Sequence, residues 1–183
     1  VKVLLRTVVV AAVVTALCLV LAYPFAYYLL GRPRRWQRTL LVLVVMPFWT
    51  SYLLRVYAWM TVLGERGLVN QGLLGLGLLD QPARFLLHSY FAVIVVSVYL
   101  YLPYSVLALY TTLERLDRSL VHAALDLGAS PVQAFRHVVL PLSLPGVLAS
   151  FVFVFIPMLG EFVTPRLVGG AEAILIVNIL VSQ

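Results

Sequence analysis

The sequence contains very little charge: Asp, Glu, Lys and Arg make up 11% of its 183 residues, while 63% of the residues are hydrophobic. Soluble domains carry about 25% charged residues, so the composition excludes an ordinary soluble domain and predicts an integral membrane protein. A net charge of +6 in a soluble protein would suggest nucleic-acid binding. In a membrane protein it indicates positively charged loops on the cytoplasmic side of the bilayer.

Reactive and metal-binding residues are also scarce. The single cysteine, Cys18, lies in an apolar run, which excludes an intramolecular disulfide or a cysteine-based metal cluster. The three histidines lack the spacing of metal ligands, and no Ser/His/Asp cluster or pair of carboxylates at catalytic spacing occurs. The glycine-rich run 72–77 follows no strand and lacks the Lys-Ser/Thr of a phosphate loop. We therefore expect neither an enzyme nor a bound metal or cofactor.

Long apolar runs alternate with charged loops along the chain. A helix needs about 20 mainly apolar residues to span a bilayer, so we predict an all-α, multi-span helical bundle that forms one transmembrane domain over 1–183. The predicted spans are about 7–30, 40–63, 88–112 and 142–163, with the start of another from 173. A short interfacial helix is predicted over 68–79. The chain lacks an initial Met and stops within an apolar run, and we expect it to lack material at both ends.

Arginine is unevenly distributed between the loops. Loops 31–38 and 114–140 lie on one predicted side of the membrane and hold seven arginines, whereas loops 65–88 and 164–173 hold three. The positive-inside rule places the first pair of loops in the cytoplasm. Two basic residues near the N-terminus reduce the contrast to seven against five.

Loop 114–140 carries an ordered series of helix signals. Apolar residues recur every three or four positions from Leu116 to Leu127, which predicts an amphipathic helix over 115–127. Gly128 supplies a left-handed cap, Ser130-Pro131 begins a second helix, and Leu140-Pro141 ends it. The apolar stripe of the second helix consists of Val132, Phe135 and Val139.

The residues alone leave two interpretations of this helix–turn–helix open. It is either a cytoplasmic loop folded back on the bilayer or a docking element for a soluble partner. The second interpretation is mechanically reasonable, because two short helices held between spans can transmit a push that a flexible loop cannot.

The same loop resembles the EAA signature of ABC-importer permeases, in which E-A-A, three residues, Gly, nine residues, Ile, one residue and Leu-Pro follow one another. Every spacing fits, but His122 replaces the Glu and Val138 replaces the Ile. The lost carboxylate leaves any salt bridge of the family in doubt, although Asp126 lies one helical turn away. The resemblance implies that the loop docks on an ATP-hydrolysing subunit through His122, Ala123, Ala124, Asp126, Gly128, Leu140 and Pro141.

Three further runs, 46–60, 126–130 and 160–170, resemble permease subunits of the spermidine/putrescine importers, and this resemblance covers essentially the whole chain. It implies the type I ABC-importer permease fold with six spans, of which this chain would lack the first and most of the last. It also implies a complex in the inner membrane. The implied partners are a second permease subunit, identical or related, two cytoplasmic ATP-binding subunits that bind the ATP, and an extracytoplasmic substrate-binding protein.

A polyamine is a flexible polycation, which carboxylates and aromatic faces bind well. Glu161 is the acidic residue closest to membrane depth, at the outer end of the fourth span, and Arg55 is the only arginine within a predicted span. The residues predicted to line the cation path are Glu161, Trp49, Trp59, Tyr99, Tyr101, Tyr104 and Arg55. The competing interpretations are a structural pair of Glu161 with Arg55, a snorkelling Arg55, and an interfacial belt of aromatic residues.

Other functions remain open from the sequence. The nearest alternative is the same permease role for another small solute, such as an anion, ferric iron or an amino compound. A non-transport membrane scaffold predicts no substrate-dependent ATPase activity. An intramembrane enzyme would need two titratable groups at one depth, and only Arg55 and Glu161 are candidates.

Overall fold

The computed structural model describes residues 2–78 and 81–170, in which helices are joined by short connections and no strand occurs. This agrees with the predicted all-α fold. The predicted span from 173 lies outside the described residues. The α-helices are α1 Lys2–Leu30, α2 Arg34–Val45, α3 Tyr52–Leu63, α4 Leu68–Gly75, α5 Tyr90–Glu114, α6 Arg118–Asp126, α7 Pro131–Ala134, α8 Leu140–Leu142, α9 Leu144–Leu159 and α10 Val163–Val168, with 3-10 turns at Met46–Trp49 and Arg84–Leu86 and a π turn at Phe135–Val139.

Helix α5 is the centre of the bundle and packs against both α1 and α9. Among its 25 residues, 13 are buried. Lipid chains are as apolar as leucine, so helices in a membrane associate through close packing and interhelical hydrogen bonds rather than through the hydrophobic effect. Gly146 of α9 allows such close packing, because a Cβ atom there would lie 2.7 Å from both Cβ and Oγ1 of Thr112.

Hydrogen bonds between polar side chains add to this packing. Ser150 of α9 donates to Ser105 of α5 over 2.8 Å, and both side chains are fully buried. The hydroxyl groups of Tyr23 and Ser143 lie 2.7 Å apart and connect α1 with the start of α9. These pairs give the buried hydroxyls partners that lipid cannot supply.

Two of the predicted spans are uninterrupted helices, over Val3–Leu30 and Tyr90–Glu114. The second predicted span, 40–63, is not one straight helix, because the segments Arg34–Trp49 and Tyr52–Gly75 meet at 94°. Pro47 opens the 3-10 turn, and the backbone at Thr50 and Ser51 is extended, so the helix ends there. The short helix predicted over 68–79 is present as α4, Leu68–Gly75, and its interfacial position stays a prediction.

The fourth predicted span, 142–163, is also interrupted. Pro131–Leu142 and Leu144–Leu159 meet at 59°, and α9 then ends at Leu159, four residues before α10 begins at Val163. Helix α10 leads back toward the start of α5, because a Cβ atom on Gly170 would lie 2.9 Å from Cβ of His88.

The two arginine-rich loops lie at one end of the bundle, as their assignment to one side of the membrane requires. Arg118 Nη2 donates a hydrogen bond to the carbonyl oxygen of Leu30. Tyr110, near the end of α5, donates to Gln37 Oε1 over 2.8 Å. Loops 31–38 and 114–140 therefore lie next to each other, and residues of both line one cavity.

Candidate docking loop and membrane site

Helix α6 begins at Arg118, three residues later than the predicted start at 115. Asp117 is its N-cap and accepts a hydrogen bond from the backbone N–H of Ser119 over 2.9 Å. This backbone hydrogen bond lowers the pKa of the exposed Asp117 carboxyl. A charged carboxylate at a helix N-terminus satisfies a free N–H group and interacts favourably with the helix dipole, which explains why the helix starts there.

The turn between α6 and α7 has the conformation that its residues predict. Gly128 has φ of +89°, and Ala129 N–H donates to Ala124 O over 3.0 Å, as in a left-handed helix end. Ser130 Oγ accepts from Gln133 N–H, while Gln133 Oε1 accepts from Ser130 N–H. This reciprocal capping box, with Pro131 in the first helical turn, fixes the direction of the second helix.

The second helix departs from the prediction in two respects. It does not end at Leu140-Pro141 but continues to Leu142 and bends before α9. The π turn allows this: Leu140 N–H donates to Phe135 O, five residues back, and Pro141, which has no N–H, then lies in the first turn of α8. The predicted apolar stripe is only partly present. Val132 is 75% exposed, whereas Ala134 and Val139 are buried.

An aromatic side chain of the loop packs against α1, in addition to the hydrogen bond from Arg118 to Leu30. Phe135 contacts Tyr23 and Tyr27 edge-to-face, with ring centroids 5.8 and 5.3 Å apart. Beside it, a cavity of about 220 Å³ is lined in part by Tyr27, Val139 and His122. These contacts anchor the helix–turn–helix to the bundle on one side only.

Much of the loop is exposed, and several of its exposed side chains are apolar. Leu127 is 89% exposed. We call the exposed apolar residues of this loop the docking face: Leu120, Leu125, Leu127, Val132 and Leu140. Of the residues predicted to dock, His122, Ala123, Asp126, Gly128, Leu140 and Pro141 are exposed and Ala124 is half-buried.

Glu161 lies in the interruption between α9 and α10 and is 8% exposed. Its Oε2 accepts a hydrogen bond from the Tyr101 hydroxyl over 2.9 Å. Its Oε1 accepts from the backbone N–H groups of Val163 and Thr164, over 3.0 and 3.2 Å. The carboxylate therefore caps α10 and is bonded to α5 at the same time.

Glu161 lies partway along the bundle. Tyr101 lies 11 residues from the first residue of α5 and 13 from its last, so Glu161 contacts the middle of a helix about 37 Å long at 1.5 Å per residue. Glu161 therefore lies just past the end of α9, as predicted, but beside the middle of α5 rather than beside one of its ends. The reason is that α9 stops at Leu159, partway along α5.

The break before α3 lies against this site. The hydroxyl of Tyr52, the first residue of α3, lies 2.6 Å from Thr164 Oγ1. The ring of Phe48, in the 3-10 turn, contacts Tyr104 edge-to-face at 4.7 Å, and Tyr104 is 6.2 Å from Tyr101. We call these residues, with the Arg55 that contacts them, the membrane cluster: Phe48, Tyr52, Arg55, Tyr101, Tyr104, Glu161 and Thr164.

Arg55 does not pair with Glu161, although both residues are described. Its guanidinium carbon lies 5.0 Å from the centre of the Phe48 ring and 5.9 Å from that of Tyr52. Its Nε atom is buried and has no hydrogen-bond partner among the described residues. The competing prediction of a structural Arg55–Glu161 ion pair is therefore wrong.

The structure brings four of the seven predicted path residues together, namely Glu161, Tyr101, Tyr104 and Arg55. Trp59 and Tyr99 form a separate edge-to-face pair at 5.4 Å, and Trp49 is 81% exposed. Sequence reasoning missed Phe48, Tyr52 and Thr164. Their signal was present in Pro47 and Gly160, because interrupted apolar segments mark the sites of membrane transporters.

No group of three or more His, Cys, Asp or Glu side chains that could hold a metal ion is found in 2–78 and 81–170. The membrane cluster instead contains one carboxylate, tyrosine hydroxyls and aromatic faces, two of which the Arg55 guanidinium covers. This chemistry suits an organic cation.

Comparison with known proteins identifies the class to which the chain belongs. Residues 18–182 match the family described as binding-protein-dependent transport system inner membrane component. The spermidine/putrescine transport system permease protein PotB of Escherichia coli K12 is 41% identical over 182 residues, which is 100% of this chain and 66% of PotB. PotB of Haemophilus influenzae is 40% identical over 94% of this chain and 60% of its own length.

A third relative, the inner membrane ABC transporter permease protein YdcU of Escherichia coli K12, is 38% identical over 91% of this chain and 57% of its own length. The chain thus spans at most 66% of the length of these relatives. The resemblance to ABC-importer permeases is confirmed, and the family is one of transport components rather than enzymes. This chain is a member of the family of inner membrane components of binding-protein-dependent transport systems.

Proposed function

We propose that the chain is part of the permease subunit of an ABC importer that carries polyamines such as spermidine and putrescine. A partner subunit hydrolyses the ATP. Relatives named as spermidine/putrescine permeases share 41% and 40% of their aligned residues with this chain, which supports the cargo. The observation that carries the proposal is the position of the Glu161 carboxylate midway along α5, beside aromatic side chains.

The membrane cluster provides the chemistry for an ammonium group. An ionisable side chain at membrane depth is costly and normally serves a functional pathway. Glu161 supplies negative charge, and the neighbouring tyrosine rings supply electron-rich faces for cation–π contact. Successive amines of a polyamine would use the carboxylate and these faces in turn as the cation moves through the bundle.

The docking face provides the contact with the ATP-binding subunit. Its leucines are exposed on helices whose ends are fixed by Asp117, Gly128 and the Ser130–Gln133 capping box. A rigid, apolar projection of this kind fits a groove in a partner and transfers its movement to α9 through the π turn. We propose that loops 31–38 and 114–140 face the cytoplasm, where ATP is available.

The remaining partners follow from the family and are part of the proposal. A second permease subunit, identical or related, would complete the pathway, and two ATP-binding subunits would drive it. An extracytoplasmic substrate-binding protein would deliver the cation to the opposite end of the bundle. Alternating access would then move the cation past Glu161.

The test uses the full-length subunit, co-expressed with its partners and reconstituted in liposomes. We expect spermidine or putrescine, together with the binding protein, to stimulate ATP hydrolysis and polyamine uptake. Stimulation by an anion, ferric iron or an amino compound instead would reject the polyamine cargo. Absence of any ATPase association would favour a membrane scaffold.

A further inference from the structure

Arg55 is a partly buried cation that contacts aromatic faces instead of an anion. Its guanidinium lies over the rings of Phe48 and Tyr52, and its Nε is buried without a hydrogen-bond partner among the described residues. An arginine placed within a membrane bundle is costly and is retained for a function. Two cation–π contacts compensate for lost hydration only weakly, so the guanidinium is held in place loosely.

The rings under Arg55 are continuous with the proposed cation path. Phe48 contacts Tyr104, Tyr104 neighbours Tyr101, and Tyr101 donates to Glu161. On the other side of the cluster, Tyr52 is bonded to Thr164. The guanidinium therefore occupies faces that a transported ammonium group would use, without neutralising the carboxylate.

We infer that the Arg55 guanidinium occupies the aromatic faces in place of the transported cation. It keeps the path closed until a polyamine displaces it. The inference rests on the proposed function. Two positive charges repel each other strongly where water is scarce, so the guanidinium and a substrate amine use the faces alternately. A fixed arginine also forms an electrostatic barrier to other cations, as positive groups do in selective pores.

The position of Arg55 permits this displacement. It lies one helical turn after Tyr52 in α3, immediately beyond the 94° break. Its long side chain can leave the rings by rotation about its own bonds. The faces of Phe48 and Tyr52 then become available while the backbone stays in place.

The test measures ATP-independent efflux from liposomes that contain the complete transporter and are loaded with putrescine and, separately, with sucrose. We expect Arg55→Gln to increase putrescine efflux about two- to tenfold, the range that corresponds to loss of such contacts, and to leave sucrose efflux unchanged. Arg55→Lys keeps the charge and should behave as wild type. Tyr57→Phe, on the same helix and outside the cluster, is the matched control.

Three outcomes would overturn the inference. Unchanged putrescine efflux in Arg55→Gln would show that Arg55 is no barrier. If the wild type still takes up polyamine in that case, the proposed function stands. Equal increases in sucrose and putrescine efflux would show that the bundle is disrupted. If the Arg55→Gln variant fails to assemble, the measurement is repeated with Arg55→Met, which retains an apolar stem. A wild-type transporter that takes up no polyamine would reject the proposed function itself.

Discussion

The hydroxyl groups of Tyr52 and Thr164 lie 2.6 Å apart, and they join the two places where the chain is interrupted inside the bundle. Tyr52 begins α3 after the 94° break, and Thr164 lies in the first turn of α10 after the gap that holds Glu161. Interrupted helices leave backbone groups without partners, which is tolerated only where protein or a polar cavity satisfies them. The two interruptions therefore stabilise each other.

Removing this link should destabilise the bundle modestly. We expect Tyr52→Phe to lower the free energy of unfolding in mixed micelles by about 0.6–1.7 kcal/mol, the range for hydrogen bonds between membrane helices. Thr164→Val should have a similar effect, and the double variant should lose little more than either single one. Additive losses would show that the two hydroxyls act independently. Tyr57→Phe, whose ring is 51% exposed, is the control.

Glu161→Gln tests the carboxylate. The amide keeps an oxygen that can accept from the N–H groups of Val163 and Thr164, but it removes the negative charge. We therefore expect the fold to persist and the spermidine concentration for half-maximal uptake to rise about tenfold or more, as for loss of a charged interaction. Glu114→Gln, at the exposed end of α5, should leave uptake unchanged. Wild-type uptake by the Glu161 variant would remove this residue from the path.

Gly128→Val tests the docking loop. Gly128 has φ of +89° with no neighbour within 4 Å of its Cβ position, so the substitution strains the backbone without a steric clash. We expect ATPase stimulation by substrate to fall while the amount of folded subunit stays near normal. Gly77→Val is the matched control, because Gly77 also has positive φ and an open Cβ position but lies outside the docking loop. Equal losses in both variants would point to a general folding defect.

Gly146→Ala tests the packing of α9 against α5. The added methyl group would lie 2.7 Å from Thr112, and overpacking of this kind costs about 1–3 kcal/mol. Thermal unfolding in detergent should show a lower midpoint. Thr112→Ala should restore it only in part in the double variant, because alanine removes Oγ1 and Cγ2 but keeps the Cβ atom that lies 2.7 Å away. Gly72→Ala, with open space at its Cβ position, should be neutral or slightly stabilising. A stable Gly146→Ala variant would mean that the helices move apart without cost.

The sequence predicted best those features that depend on a few neighbouring residues. Gly128, Ser130 and Pro131 determine local backbone conformation directly, so the left-handed turn and the capping box could be foreseen. Asp117 gave an equally local signal, but the apolar period that begins at Leu116 masked it. The helix was consequently expected three residues too early.

Features that depend on tertiary structure could not be obtained in the same way. Hydropathy counts apolar residues and does not register a 94° turn, so Phe48 and Tyr52 were read as parts of one span. The position of Glu161 along the bundle depends on whether the chain stays helical through Gly160. The residues next to Gly160 in the sequence do not determine whether the helix continues there. Val132 was assigned to the buried stripe from its spacing to Phe135, but it is 75% exposed, and the structure gives no local reason for this.

The carboxylate of Glu161 has two roles: it caps α10, and under the proposed function it binds the cation. The N–H groups of Val163 and Thr164 both donate to Oε1, and under the proposed function an incoming cation would compete with them for the carboxylate. Any cation that draws the carboxylate away from α10 must leave those two donors unpaired, which frays the first turn of the helix and shortens it. The loss would be confined to the start of α10, because the other end of this helix lies near His88, away from Glu161.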